Sequence, residues 1–208
     1  LLFFIALALA GRDDGPVALP PLFATGVSLG GNALLKWLGE QRETASDILQ
    51  RAAVISAPVD LHAAGHALEQ GFNMVYTNNF LATMKRKSFA KLRRHPGLFD
   101  PAKLRTTRTL REFDDLVTAP LHGFAGVDDY YTRASSKPLL MCVTVPTLLL
   151  NARNDPFLPG TALPERQQRL HEPRHPHHHR RAGADGPGPA GKLGQPGRHA
   201  AVHLPPRD

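Results

Sequence analysis

The stretch that most narrows the folds open to this chain runs from Leu22 to Gly39. Leu22-Phe23-Ala24-Thr25 is an apolar run behind Pro20-Pro21, the pattern of a buried strand. Gly26-Val27-Ser28-Leu29-Gly30-Gly31-Asn32 follows directly. Ala33, Leu34, Trp37 and Leu38 then recur at helical spacing as far as Gly39. Strand, glycine turn and helix in this order, with G-x-S-x-G across the turn, predict a nucleophile elbow. Ser28 would sit in a sharp, strained turn, and Gly26 and Gly30 would let strand and helix come close. The turn would raise Oγ at the helix N-terminus, where developing negative charge is favoured. The competing reading is a phosphate-binding loop at a helix start. The segment lacks the lysine of a P-loop and the G-x-G-x-x-G spacing, so the nucleophile reading is preferred.

At 208 residues the chain has room for one domain, or two small ones, with a real core. No apolar run reaches the roughly 18 residues needed to span a bilayer. The single cysteine, Cys142, excludes a disulfide framework and a cysteine-built zinc site, and makes the cytoplasm the default compartment.

Charge and punctuation are concentrated at the end of the chain. Residues 167–208 hold seven of the 11 histidines and no aromatic residue. Seven Lys and Arg against three Asp and Glu there supply more than half of the formal charge of +7. With so few large apolar groups this stretch cannot repay the entropy of ordering, which predicts a disordered tail. As a cationic arm for nucleic acid or a membrane surface it lacks stacking aromatics and helical periodicity. The cluster His175, His177, His178 and His179 could take a metal adventitiously but has no rigid scaffold for a built site. Arg, Pro, Gly, Ala and His runs are also what a GC-rich gene yields out of frame, and that is the favoured reading. At the other end, Leu1 to Ala10 is uniformly apolar and begins with Leu. It mimics a short signal h-region without a charged n-region, and also fits the buried part of a helix or strand whose upstream half is missing.

Three stretches carry a family resemblance. They are GVSLGGNALLKWLGE from Gly26 to Glu40; Arg111-Glu112-Phe113-Asp114 with TAPLHGFAGVDDYYTRAS from Thr118 to Ser135; and PTLLLNARNDPF from Pro146 to Phe157. On these the chain resembles the YheT-like (ABHD-type) α/β-hydrolases over about residues 22–157. The second stretch discriminates best, because G-x-S-x-G runs through the whole superfamily. The resemblance implies a partial α/β-hydrolase fold: a parallel sheet flanked by helices, with a hydrolase domain over 21–166, and 1–20 left as an uncertain fragment. Arg51–Ser56 and Pro146–Leu150 would be the next two parallel strands. Residues 60–131, with helical pieces at Leu61–Gln70, Asn79–His95 and Thr107–Leu116, would form a cap over the site. Phe72, Met74, Tyr76, Phe80 and Met84 are candidate pocket contacts, although such a series is more often core.

The resemblance also assigns roles. Asp155, in the loop at the end of the Pro146–Leu150 strand, matches the triad acid that orients the histidine. Asp128 and Asp129 are expected instead to face solvent or to pair with Arg133. The backbone N–H of Leu29 would be one oxyanion donor. The triad histidine is not identified; Gly197-Arg198-His199 imitates its turn without a preceding strand. The second oxyanion donor would come from a loop before residue 20. The activity implied is hydrolysis of small-molecule or lipid-like carboxylic esters through an acyl-enzyme. It involves no metal, organic cofactor or nucleic acid, and this chain is expected to be inactive as it stands. The alternatives are a non-catalytic hydrolase-derived fragment and a cationic binding module working through the tail.

Overall fold

A computed structural model describes residues 5–9 and 21–164. The expected disordered tail, its histidine cluster, His199 and much of the apolar start lie outside these residues.

Among the described residues four strands form one sheet in the order β1-β2-β3-β4: Ile5–Leu9, Leu22–Val27, Arg51–Ile55 and Thr147–Leu150. The last three are parallel, with Ala24 beside Ala52 and Ala52 beside Thr147. The sequence predicts these three. It leaves the apolar start open between helix and strand, and there the structure adds a fourth strand. β1 runs antiparallel to β2, from Ile5 beside Gly26 to Leu9 beside Leu22. The row of N–H and C=O groups on that side of β2 needs a partner, and an antiparallel neighbour provides one without a helical crossover.

The period of two along the strands sorts the two faces of the sheet. Ala24, Ala52 and Val54 are buried in one cluster with Leu34, Leu35 and Leu38 of α1 (Leu29–Gln41). The opposite face carries the exposed Ile55 and Leu148. Buried Asn32 locks the first turn of α1 in place. Its Nδ2 donates to the carbonyl of Ala134 and its Oδ1 accepts from the N–H of Ser136.

The helix passes through Gly39 and ends at Gln41, although Gly39 reads as its stop in the sequence. A Cβ at Gly39 would lie 2.6 Å from the Cβ of Leu139 and 2.7 Å from its carbonyl oxygen. The glycine is therefore there for close approach to residues 137–142. Helix propensity alone favours Gly39→Ala by about 1 kcal/mol. The clash is with backbone, so we expect the opposite sign: destabilisation of about 2 kcal/mol, read from the urea midpoint of the variant.

Between β3 and β4 the chain is helical: α2 (Leu61–Leu68), α3 (Asn73–Arg94), α4 (Pro101–Thr106), α5 (Leu110–Phe113), α6 (Ala119–Leu121) and α7 (Val127–Ala134). Side chains start several of them. Asp60 accepts from the N–H of Ala63, and Asp100 from that of Ala102 ahead of Pro101. Thr109 caps α5 by accepting from the N–H of Glu112, and the Glu112 carboxylate accepts from the N–H of Arg108, one residue before the cap. Leu81, Phe99, Leu104, Phe113 and Val117 give the insertion its own core. Helix α3 starts six residues before the expected Asn79. Its first turn carries outward-facing apolar groups, which hide the helical period from a sequence reading.

Candidate active site

Ser28 stands between β2 and α1 with φ 54° and ψ −130°. A non-glycine residue in this region costs about 1–3 kcal/mol, so the surrounding structure must impose it. On the strand side, the Ser28 N–H donates to the carbonyl of Ile55 at 2.9 Å. On the helix side, the Ser28 carbonyl accepts from the N–H groups of Gly31 and Asn32. The turn closes this tightly because two side chains are missing. A Cβ at Gly26 would meet the Cα of Gly31 at 2.7 Å and the carbonyl oxygen of Gly30 at 2.8 Å; one at Gly31 would meet the Cγ1 of Val54 at 2.7 Å. The five-residue pattern singles out Gly26 and Gly30. The close contact on the helix side falls at Gly31, for which the doubled glycine was the available signal.

Ser28 opens onto a cavity of about 530 Å³, within the usual range for small-molecule sites. Most of its wall is apolar, including Leu61, Leu68, Phe80 and Phe157. The polar groups converging on it are few: Ser28, Ser56, Asp114, Tyr130, Tyr131, Asn154 and Asp155, with Leu29 beside the serine. Leu29 is the first residue of α1, so its N–H has no carbonyl partner within the helix. Asp155 lies in the loop after β4 and accepts from the N–H of Phe157 through Oδ1. The structure thus brings Ser28, Leu29 and Asp155 to one cavity from the ends of β2 and β4. Among the described residues no histidine lines it. Of the five candidate pocket contacts only Phe80 lines the wall; Met84 packs into the core of the insertion, and Phe72 and Tyr76 are exposed.

Ser56 and Asp114 are among the cavity residues that have no role in the sequence reading. Ser56, at the end of β3, also has a positive φ of 50°. Asp114 begins a π-helical turn, Asp114–Thr118, and π-turns often mark functional sites. Its carboxylate accepts from the Thr118 hydroxyl at 2.6 Å and the Tyr131 hydroxyl at 2.9 Å. Burial raises its pKa, against the lowering effect of those two donors. Burial also pushes the Tyr130 phenol up to about 12 and raises that of Tyr131, so both stay protonated. The only signal for Asp114 was its place in the Arg111–Asp114 motif.

Asp128 and Asp129 stand away from the cavity. Asp128 accepts two bonds from Arg111, each 2.7 Å, and Asp129 pairs with Arg133 at 3.1 Å while also accepting from the N–H of Ala125. The Arg111 hydrogen bonds hold Asp128 below the usual carboxylate range, and the Ala125 amide does the same for Asp129.

These shifts have opposite consequences for stability. Asp128 and Asp129 contribute stability that is present above the ordinary carboxylate pKa and lost as pH falls. Asp114, with its pKa raised, favours the folded state at low pH and loses that contribution as pH rises above about 3.9. We expect Asp114→Asn to remove this second component. Its unfolding free energy should fall less than that of the parent chain as pH rises through the weakly acidic range, measured by urea titration at several pH values. Parallel pH profiles for the two proteins would show that Asp114 carries no such linkage.

The geometry agrees with what comparison finds. The chain is 38% identical over 148 residues to YheT of Escherichia coli (strain K12), which carries an esterase name; the match covers 70% of this chain and 43% of that protein. It is 35% identical over 148 residues to human phospholipase ABHD3, covering 69% of this chain and 35% of the relative. Monoacylglycerol lipase of Saccharomyces cerevisiae is 28% identical over 145 residues, covering 66% and 32%. The chain therefore spans less than half the length of these curated relatives. No family model and no solved structure matches it.

Proposed function

Because the matched segment resembles the YheT-like α/β-hydrolases and has a partial α/β-hydrolase fold, we propose that its chemistry is the hydrolysis of carboxylic esters with Ser28 as nucleophile. The observation carrying this reading is the positive-φ serine at a strand-to-helix turn, open to the same apolar cavity as Asp155. Ser28 Oγ attacks the acyl carbon while a base takes its proton. The resulting oxyanion is held by the Leu29 N–H, and its collapse expels the alcohol and leaves an acyl-enzyme that water hydrolyses. Asp155 orients the base and stabilises it once protonated. The apolar wall suits an acyl chain, and helices α2 to α7 serve as a cap. The lone Cys142 fits a reducing, cytoplasmic setting.

A second reading rests on the base, which no described residue of the cavity supplies. With no histidine on the cavity among the described residues, the 208-residue chain by itself turns over slowly or not at all. A fluorophosphonate probe tests both readings, since it reports nucleophilicity at one mapped residue and its rate reports the base. Slow labelling confined to Ser28 is expected. Labelling at another residue, or equal labelling of Ser28→Ala, overturns the nucleophile assignment.

A further inference from the structure

Helix α3 has an outer face that is left largely exposed among the described residues. Phe72, immediately before the helix, and Val75 are 77% and 57% exposed, and Tyr76 is 41% exposed. At 3.6 residues per turn these lie on one stripe with Asn79, Ala82, Arg86, Lys87, Arg93 and Arg94, all of them solvent-facing except where Thr83 and Ala90 narrow it. The stripe is about 33 Å long, from the 1.5 Å rise of a helix. It is apolar and aromatic at one end and cationic at the other. Residues 70–99 contain six Lys and Arg and no Asp or Glu. Lys85 is turned inward, donating to the carbonyls of Arg105 and Thr107, while Arg86, Lys87, Arg93 and Arg94 form no ion pair among the described residues.

The apolar end adjoins the cavity. Tyr76 packs edge-to-face on Phe72 on one side and, at 5.1 Å between ring centroids, on Phe157 on the other; Phe157 is part of the cavity wall. Asn73 ties the helix start to this rim by donating to the carbonyl of Pro156. Exposed aromatics packed against the cavity wall, continuous with a row of cations without counter-charge among the described residues, match the surface of an anionic bilayer. The aromatics would enter the interface and the cations would meet lipid phosphates. No helix among the described residues is long and apolar enough to cross a membrane, so the contact would be peripheral.

We propose that the outer face of α3 is a docking surface for an anionic lipid bilayer, with Phe72, Val75 and Tyr76 inserted beside the mouth of the cavity. Docking in this way does not depend on Ser28 chemistry, whereas delivery of a lipid-like ester from the bilayer into the cavity rests on the hydrolase reading.

The test is co-sedimentation of the full chain with phosphatidylcholine vesicles, with and without phosphatidylglycerol. Binding is expected only with the anionic lipid, and weaker as salt is raised. Arg86→Gln with Arg93→Gln should lower the partition coefficient about 25-fold, at about fivefold per cation. Phe72→Ser with Val75→Ser should lower it about tenfold or more. These four positions are exposed, and unchanged circular dichroism establishes that the variants fold. Ser28→Ala should bind as the parent does, which separates failure of docking from failure of the hydrolase reading. Absence of binding overturns the proposal, as does equal binding to neutral vesicles. Binding that survives both pairs of substitutions places the contact on another segment and overturns it too. Tight binding to duplex DNA that is sensitive to the arginine pair and indifferent to Phe72→Ser would identify a nucleic-acid surface instead. A dimer dissolved by Phe72→Ser, without vesicle binding, would identify a second copy as the occupant.

Discussion

Ser28→Ala is expected to eliminate fluorophosphonate labelling and any turnover of a p-nitrophenyl ester above the buffer rate. On the slow-turnover reading, the parent chain is expected to start from a low level. Serine hydroxyl is a weak nucleophile without a base, and loss of one triad member costs on the order of 10⁴-fold or more. What remains comes from the elbow, the Leu29 amide and the apolar cavity. Labelling should therefore take far longer than for an esterase with a complete triad, but map to one residue. Added imidazole should accelerate it in the parent and do nothing for Ser28→Ala, because the diffusing base has a hydroxyl to act on only in the former. Fast turnover that Ser28→Ala abolishes would keep the nucleophile and discard the slow-turnover reading. It would mean that a base reaches the cavity from beyond the described residues. Imidazole acceleration that persists in Ser28→Ala would discard the nucleophile itself.

Gly26→Ala should have the next largest effect, and on folding as well as reactivity. The added methyl would sit within 3 Å of three backbone atoms of Gly30 and Gly31. Backbone cannot swing aside as the end of a side chain can, so either β2 and α1 separate or Ser28 leaves its positive φ. We expect destabilisation of about 3 kcal/mol, the upper end of the range for overpacking. In a domain of this size that lowers Tm by roughly 6–12 °C. Labelling of Ser28 should fall at temperatures where the variant is still folded, because the turn that presents Oγ has relaxed. A variant of parental Tm and reactivity would show that the elbow tolerates a wider strand-to-helix gap than its geometry implies.

The two experiments act on different properties of one turn. Ser28→Ala removes the reacting atom and leaves the strained backbone with a residue that tolerates it no better. Gly26→Ala leaves the reacting atom and removes the space that makes the strain possible. Loss of reactivity in both, with loss of stability mainly in the second, is the signature of a functional turn rather than a merely tight one.

Much of this was legible in the residues because the signals were local. A short apolar run, a glycine turn and a helical repeat occupy adjacent positions, so β2, α1 and the presentation of Ser28 could be read without knowing the rest of the chain. The same holds for β3, for β4 and for the loop bearing Asp155. The pairing of Asp129 also followed from a neighbour close in sequence, since Arg133 lies one helical turn beyond it; Asp128 pairs instead with Arg111, 17 residues upstream, which no local signal gave.

Other features depend on partners far along the chain. Gly39 reads as a helix stop until Leu139 is seen packed against it, one hundred residues later. The apolar start reads as helix, strand or leader until β2 supplies the edge with which Ile5–Leu9 pairs. Phe72 and Tyr76 read as core or pocket because an exposed aromatic has no local signature; only the packing of α3 shows which of its sides is left outside. Asp114 is an acid among several until the π-turn and Tyr131 set it on the cavity that Ser28 also lines. Sequence alone determined the units whose period and turn chemistry are short-range. The tertiary structure decided which surfaces those units bury and which polar groups share a cavity, because burial and desolvation are properties of neighbours that the chain brings together only by folding.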